Sequence, residues 1–99
     1  MGYLLKYTRQ ADKDARLLEQ SGLDKAAMQL LSIVKENPYQ YPPAYEKLQG
    51  DLKGLYSRRI NQQHRIVYDV LPNDGGLKDK DGVPYIGIVK IIRMWTHYE

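Results

Sequence analysis

The sequence predicts an α+β domain: a short N-terminal strand, then two helices packed on one face of a twisted antiparallel β-sheet. Three observations predict it. Apolar residues recur at helical spacing through the first third of the chain. Three strand-like runs then follow one another after residue 54. Helical and strand signals are grouped and do not alternate, which argues against a βαβ plan.

The apolar run "YLLKY", Tyr3 to Tyr7, predicts the first strand. Thr8 can cap the helix that follows, and Ala11, Ala15 and Leu18 keep i, i+4, i+7 spacing up to a stop near Gly22. A second helix is expected from Asp24 to Glu36, with Leu23, Ala27, Leu30, Leu31 and Val34 as its apolar stripe. Asn37-Pro38 ends it. "YQYPPAYEKLQGDLKG" combines prolines, glycines and tyrosines and reads as a loop with at most one helical turn. Strands are expected at Leu55–Ile60, Arg65–Leu71 and Tyr85–Thr96. "NQQH" makes the tight turn of the first hairpin, and residues 72–84 form a longer connection.

Ninety-nine residues suit a single domain over 1–99, with one modest core and no room for a separate cofactor domain. Cysteine is absent, which excludes disulfides and thiolate metal sites and fits a reducing cytosol. The first residues lack the apolar run of a signal peptide, and "YIGIVKII" is too short and too charged to span a bilayer. A cytoplasmic protein with no membrane association is expected. Net charge is only +3, but its distribution is uneven. From Leu52 to Tyr98 the acids are Asp69, Asp74, Asp79 and Asp81, and the last three share the 72–84 connection. The strands carry Arg58, Arg59, Arg65, Lys90 and Arg93. Such a face suits a polyanion such as RNA or DNA, or an acidic protein partner, and it also suits plain solvation.

The two histidines, His64 and His97, have no partner at metal-ligand spacing, and neither a phosphate loop nor a nucleophile elbow is present. No cofactor is expected. An enzyme built from these residues would work by metal-free acid/base catalysis. RNA cleavage allows this, because the ribose 2′-hydroxyl attacks its own phosphate. A base for that hydroxyl, positive charge for the phosphorane and an acid for the leaving 5′-oxygen are sufficient. Arginine suits the phosphate and histidine the acid. Each candidate also has an ordinary structural explanation. Glu46 in a loop is commonly just solvated, and His97 at a strand end is commonly a hydrogen-bonded surface group. Arg65 inside "RIVY" costs desolvation unless it meets a ligand or a structural partner. Arg58 and Arg59 point to opposite faces by strand alternation, so both cannot serve one site directly. Tyr45, Tyr56 and Tyr98 are candidates to stack bases or pack the core.

The order of these residues carries a resemblance. "EKLQGDLKGLYSRRINQQHRIVYDV" and the terminal "RMWTHYE" closely resemble the YoeB/Txe group of the RelE-like toxins, tightly from Glu46 to Val70 and from Arg93 to Tyr98, and only in placement and size over the helices. The resemblance implies a RelE-like fold and a type II toxin whose activity is ribosome-dependent cleavage of mRNA without metal. It implies Glu46 as general base, Arg65 as the phosphate-stabilising arginine and His97 as general acid. Tyr98 would shape the site, with Arg59, Arg58 and Lys53 as auxiliary RNA contacts. The implied partners are a YefM/Axe-like antitoxin, the ribosome and mRNA, with a homodimer left open. Two departures stand out. Gln49 replaces a lysine found three residues after the glutamate in some members, and the 72–84 connection is longer than the resemblance leads one to expect, with four acids from Asp69 onward. An acidic loop would repel RNA phosphate, so it is expected to point away from Arg65. The competing readings are a ParE-like gyrase-inhibiting toxin and a non-catalytic RNA- or ribosome-binding module.

Overall fold

A computed structural model describes residues 2–95. Strand β1 spans Tyr3–Tyr7, helix α1 Arg9–Gln20 and helix α2 Asp24–Glu36. Strand β2 is the two-residue Glu46–Lys47, and a 3₁₀ turn occupies Gly50–Leu52. Strands β3, β4 and β5 are Tyr56–Arg59, Arg65–Pro72 and Gly87–Arg93. The end of the last expected strand, Thr96, lies outside the described residues.

Thr8 caps α1 as its sequence position predicts. Its hydroxyl accepts from the Ala11 amide at 3.0 Å and donates to the Ile92 carbonyl at 2.8 Å, tying the helix start to β5. Gly22 adopts a positive φ of 73° and ends the helix. The Gly22 amide donates to Glu19 O and the Leu23 amide to Leu18 O, the paired bonds of a Schellman stop. Ala11, Leu18, Ala27, Leu30, Leu31 and Val34 are all buried. Asp14 is buried with them, although nothing in the helical period marks a carboxylate for the core.

Both helices pack on one sheet, whose strand order is β1-β5-β4-β3-β2. Three pairings are antiparallel, and β1 runs parallel to β5. The sheet is therefore mixed. A parallel neighbour needs a long crossover, and everything from α1 to β4 supplies it. Strand β2 escaped the sequence reading because two residues show no periodicity. Gly87 sits where β5 passes β1 and β4. A Cβ there would lie 2.7 Å from the Leu71 carbonyl and 3.0 Å from the Tyr3 ring.

Strand alternation divides the sheet. Tyr56, Arg58, Ile66, Tyr68, Val89 and Ile91 share the helix-covered face by register. Glu46, Ser57, Arg59, Arg65 and Val67 share the other. Between Val67 and Tyr68 the β4–β5 register shifts, leaving Ile92 of β5 as the extra residue of a bulge. Among the described residues no helix is long and apolar enough to cross a membrane.

Candidate active site

The open face meets the β2–β3–β4 edge in a shallow cleft of about 170 Å³. Pro43, Tyr45, Glu46, Ser57, Arg59 and Arg65 line it. Register explains the convergence. Glu46 is paired with Ser57, Ser57 with Val67, and Arg59 with Arg65. Directly opposed residues project to the same side, so one carboxylate and two guanidinium groups arrive together. Glu46 Oε2 lies 3.5 Å from Arg65 Nη1. Arg65 Nη1 also donates to Ser57 Oγ at 3.4 Å. The Glu46 side chain is 62% exposed and that of Arg65 20%. The Glu46 end of the pair lies largely in solvent, where its charge is screened, while the Arg65 side chain is largely buried. The carboxylate remains open to a ligand proton, and the guanidinium retains donors directed at the cleft.

Arg58 has a different task, and its expected RNA contact is corrected. Only 1% exposed, it is one of the largest fully buried side chains. Its Nη1 donates to Pro43 O at 2.7 Å, its Nη2 to Pro38 O at 2.9 Å and to Gln40 O at 2.8 Å, and its Nε to the Tyr68 hydroxyl at 3.0 Å. The Tyr68 hydroxyl in turn donates to Pro38 O at 2.8 Å. The guanidinium also lies 4.8 Å from the centre of the Tyr45 ring. A buried cation needs acceptors, and here the loop from Pro38 to Pro43 supplies them. Arg58 thus fixes the loop that delivers Glu46. Burial pushes the Tyr68 hydroxyl above its ordinary pKa, with Arg58 acting against the shift. Tyr39, packed edge-on to Tyr56 at 5.5 Å, is pushed up to about 12 by burial and by that neighbour.

Lys53 is exposed and lines an adjacent groove with Lys47 and Gln49, so the fold does not bring it into the cleft. Arg59 is exposed and lies in it. His97 and Tyr98 lie outside the described residues. The strand leading toward them is anchored: Asp14 Oδ2 accepts from Arg93 Nε at 2.8 Å and from the Met94 amide at 2.9 Å. Burial raises the Asp14 pKa, but Arg93, the Met94 amide and Gln10 outweigh it and hold the carboxyl below its ordinary value. His64 is buried, and its ring stacks on Trp95. The acidic connection lies away from the cleft. Asp79 and Asp81 sit beside Gly2, Lys35 and Tyr85, off the far end of β4 from Arg65. Eight residues of strand separate the two ends, about 23 Å.

Ser57 is the cleft residue that sequence reasoning missed. Its signal was its phase: it stands two residues before Arg59 in the same strand, and alternation places both on one face.

Two helices over a five-strand mixed sheet place the chain by fold among the RelE-like toxins. The overall shape agrees. A YoeB/ParE toxin from Agrobacterium tumefaciens superposes with a TM-score of 0.75 at 25% identity, covering 96% of this chain and 99% of that one. The YoeB dimer structure from Staphylococcus aureus gives 0.71 at 29% identity, covering 97% and 98%. Within the class, a family model for the YoeB-like toxin of bacterial type II toxin-antitoxin systems matches residues 6–78, and the chain belongs to that family. The Toxin YoeB of Synechocystis sp. is 33% identical over 61 residues, 62% of this chain and 64% of that protein. The aligned stretches cover between 46% and 64% of the curated relatives' own lengths.

Proposed function

We propose that this chain is a ribosome-dependent, metal-independent endoribonuclease that cleaves mRNA and thereby arrests translation. The observation that carries this reading is the 3.5 Å approach of Glu46 to Arg65 in a cleft that Arg59 also lines. Glu46 takes the proton of the ribose 2′-hydroxyl. The resulting oxygen attacks the adjacent phosphorus, and Arg65 stabilises the charge that accumulates on the phosphorane oxygens. Arg59, beside Arg65, holds a neighbouring phosphate. His97 protonates the departing 5′-oxygen, and Tyr98 shapes the same end of the site. The products are a 2′,3′-cyclic phosphate and a free 5′-hydroxyl. Arg65 itself supplies the positive charge that a metal would otherwise provide.

The chain acts in the cytoplasm on mRNA in the ribosomal A site, and a YefM-like antitoxin neutralises it. The structure of a YoeB-YefM complex from Staphylococcus aureus, whose toxin covers 97% of this chain at 28% identity, supports such a partner. End mapping of mRNA after brief expression, or on purified programmed ribosomes, tests the reading. Discrete A-site cuts whose upstream fragments end in a 2′,3′-cyclic phosphate and whose downstream fragments begin with a 5′-hydroxyl are expected. Fragments that end in a 3′-hydroxyl and begin with a 5′-phosphate rule out the mechanism. The designation YoeB/ParE of the Agrobacterium structure keeps a gyrase-directed alternative in view. DNA breakage on expression with mRNA left intact would establish that alternative.

A further inference from the structure

The histidine in the hairpin turn takes no part in the chemistry just described, yet the fold holds it with unusual care. Asn61 Oδ1 accepts from the His64 amide at 2.7 Å and from the Gln63 amide at 2.8 Å. The His64 carbonyl accepts from the Ile60 amide at 2.8 Å and from the Asn61 amide at 3.3 Å. Both backbone polar groups are therefore fixed, and the direction of the side chain is fixed with them. The ring is buried and lies on Trp95, with centroids 4.1 Å apart and planes 20° from parallel. Among the described residues its Nδ1 has no hydrogen-bond partner.

The two stacked residues join two parts of the proposed site. His64 directly precedes Arg65. Trp95 precedes His97 by two residues in the sequence. Three anchors converge just before that point. The Ile92 carbonyl is held by Thr8, the Met94 amide by Asp14, and the Trp95 ring by His64. The first two fix the end of β5 to α1. The β4–β5 ladder, which pairs Arg93 with Val67, already joins this strand to the hairpin by its backbone, and the third anchor adds a side-chain contact to the hairpin turn itself.

We infer that His64 is a positioning residue, whose ring stacks on Trp95 and holds the segment leading to the C-terminal acid against the hairpin that carries the phosphate-binding arginine. The inference rests on the proposed ribonuclease function. Displacing a reacting group by about 1 Å costs on the order of 100-fold in rate. His64→Ala and Trp95→Ala are therefore expected to lower kcat for cleavage on programmed ribosomes by about 10- to 100-fold, with KM within threefold of wild type. His64→Phe keeps a flat ring with no titratable nitrogen. It should cleave within about threefold of wild type and keep both limbs of the pH–rate profile. Because the two rings act as one unit, the double alanine variant should be no slower than the slower single one.

The chain has one tryptophan, so fluorescence reads the stack without reference to activity. His64→Ala should move emission to longer wavelength and increase quenching by iodide. Unchanged emission overturns the stack itself. A His64→Ala protein that cleaves at the wild-type rate overturns the positioning role. A His64→Phe protein as slow as His64→Ala, with one pH limb lost, shows a titrating role and overturns it as well. Wild-type protein that leaves mRNA intact overturns the ribonuclease reading and this inference together, and is distinguished from the other outcomes by the absence of any rate to compare.

Discussion

At the scale of single residues, neighbouring arginines in one strand have opposite fates. Arg58 and Arg59 differ by one position, which in a strand is a change of face. Arg59 faces the open cleft with Arg65, while Arg58 enters the core and binds three carbonyl groups of the loop before Glu46. Lysine cannot replace that fork, since a single ammonium does not reach diverging acceptors in one plane. Arg58→Lys should therefore cost about 2–4 kcal/mol by leaving buried carbonyls unpaired. It should also slow cleavage by loosening Glu46, as thermal unfolding and single-turnover kinetics will show together. Glu46→Gln is the complementary change. It preserves shape, removes the base and should reduce kcat by about 10²–10⁴-fold. Its melting temperature should stay near wild type, because the Glu46 carboxylate is largely exposed and the glutamine amide oxygen keeps an acceptor beside Arg65. A Glu46→Gln protein that cleaves at the wild-type rate would exclude Glu46 as the base.

At the scale of elements, the decisive contact links the first helix to the last strand. Asp14 is fully buried and accepts from Arg93 and from the Met94 amide, residues almost eighty positions away. Its folded pKa lies below the unfolded value near 3.8. The sign follows directly. The folded state binds this proton more weakly, so the contribution to stability is complete above the unfolded pKa. It disappears as pH falls through the lower folded pKa. Asp14→Asn should destabilise the protein at neutral pH by about 1.5–3 kcal/mol. It should also flatten the decline in stability below about pH 4, measured by urea unfolding across pH. The element boundaries were largely legible in sequence. Thr8, Gly22 and Asn37-Pro38 are local signals that act on their own neighbours, and the helices and long strands fall where periodicity places them. Asp14 was not legible, because a single carboxylate in a helix gives no sign of a partner that only folding brings near.

At the scale of the whole molecule, charge is segregated along the sheet. The basic cleft lies at the β2–β3–β4 edge, and the acidic connection lies at the opposite end of β4. Replacing Asp79 and Asp81 together by asparagine should leave the cleavage rate on programmed ribosomes within about twofold, since a charge roughly three Debye lengths away is screened at physiological salt. Binding of RNA should weaken with salt, and Arg59→Ala should lower the slope of that dependence by about one, as loss of one phosphate contact requires. Filter binding at several salt concentrations measures both.

The sequence by itself determined the two amphipathic helices, the basic hairpin and the order of Glu46, Arg65 and His97, because these depend on residue type and near spacing. Tertiary structure decided the rest. It made β1 a parallel neighbour of β5, gave Glu46 a two-residue strand that brings it to Arg65, and buried Arg58 in place of Arg59. It also set His64 against Trp95. Each of these is a meeting of residues far apart in the chain, or a choice of which face turns inward. Alternation states that two faces exist. Only packing against α1 and α2 settles which of them becomes the core and which remains open to a ligand.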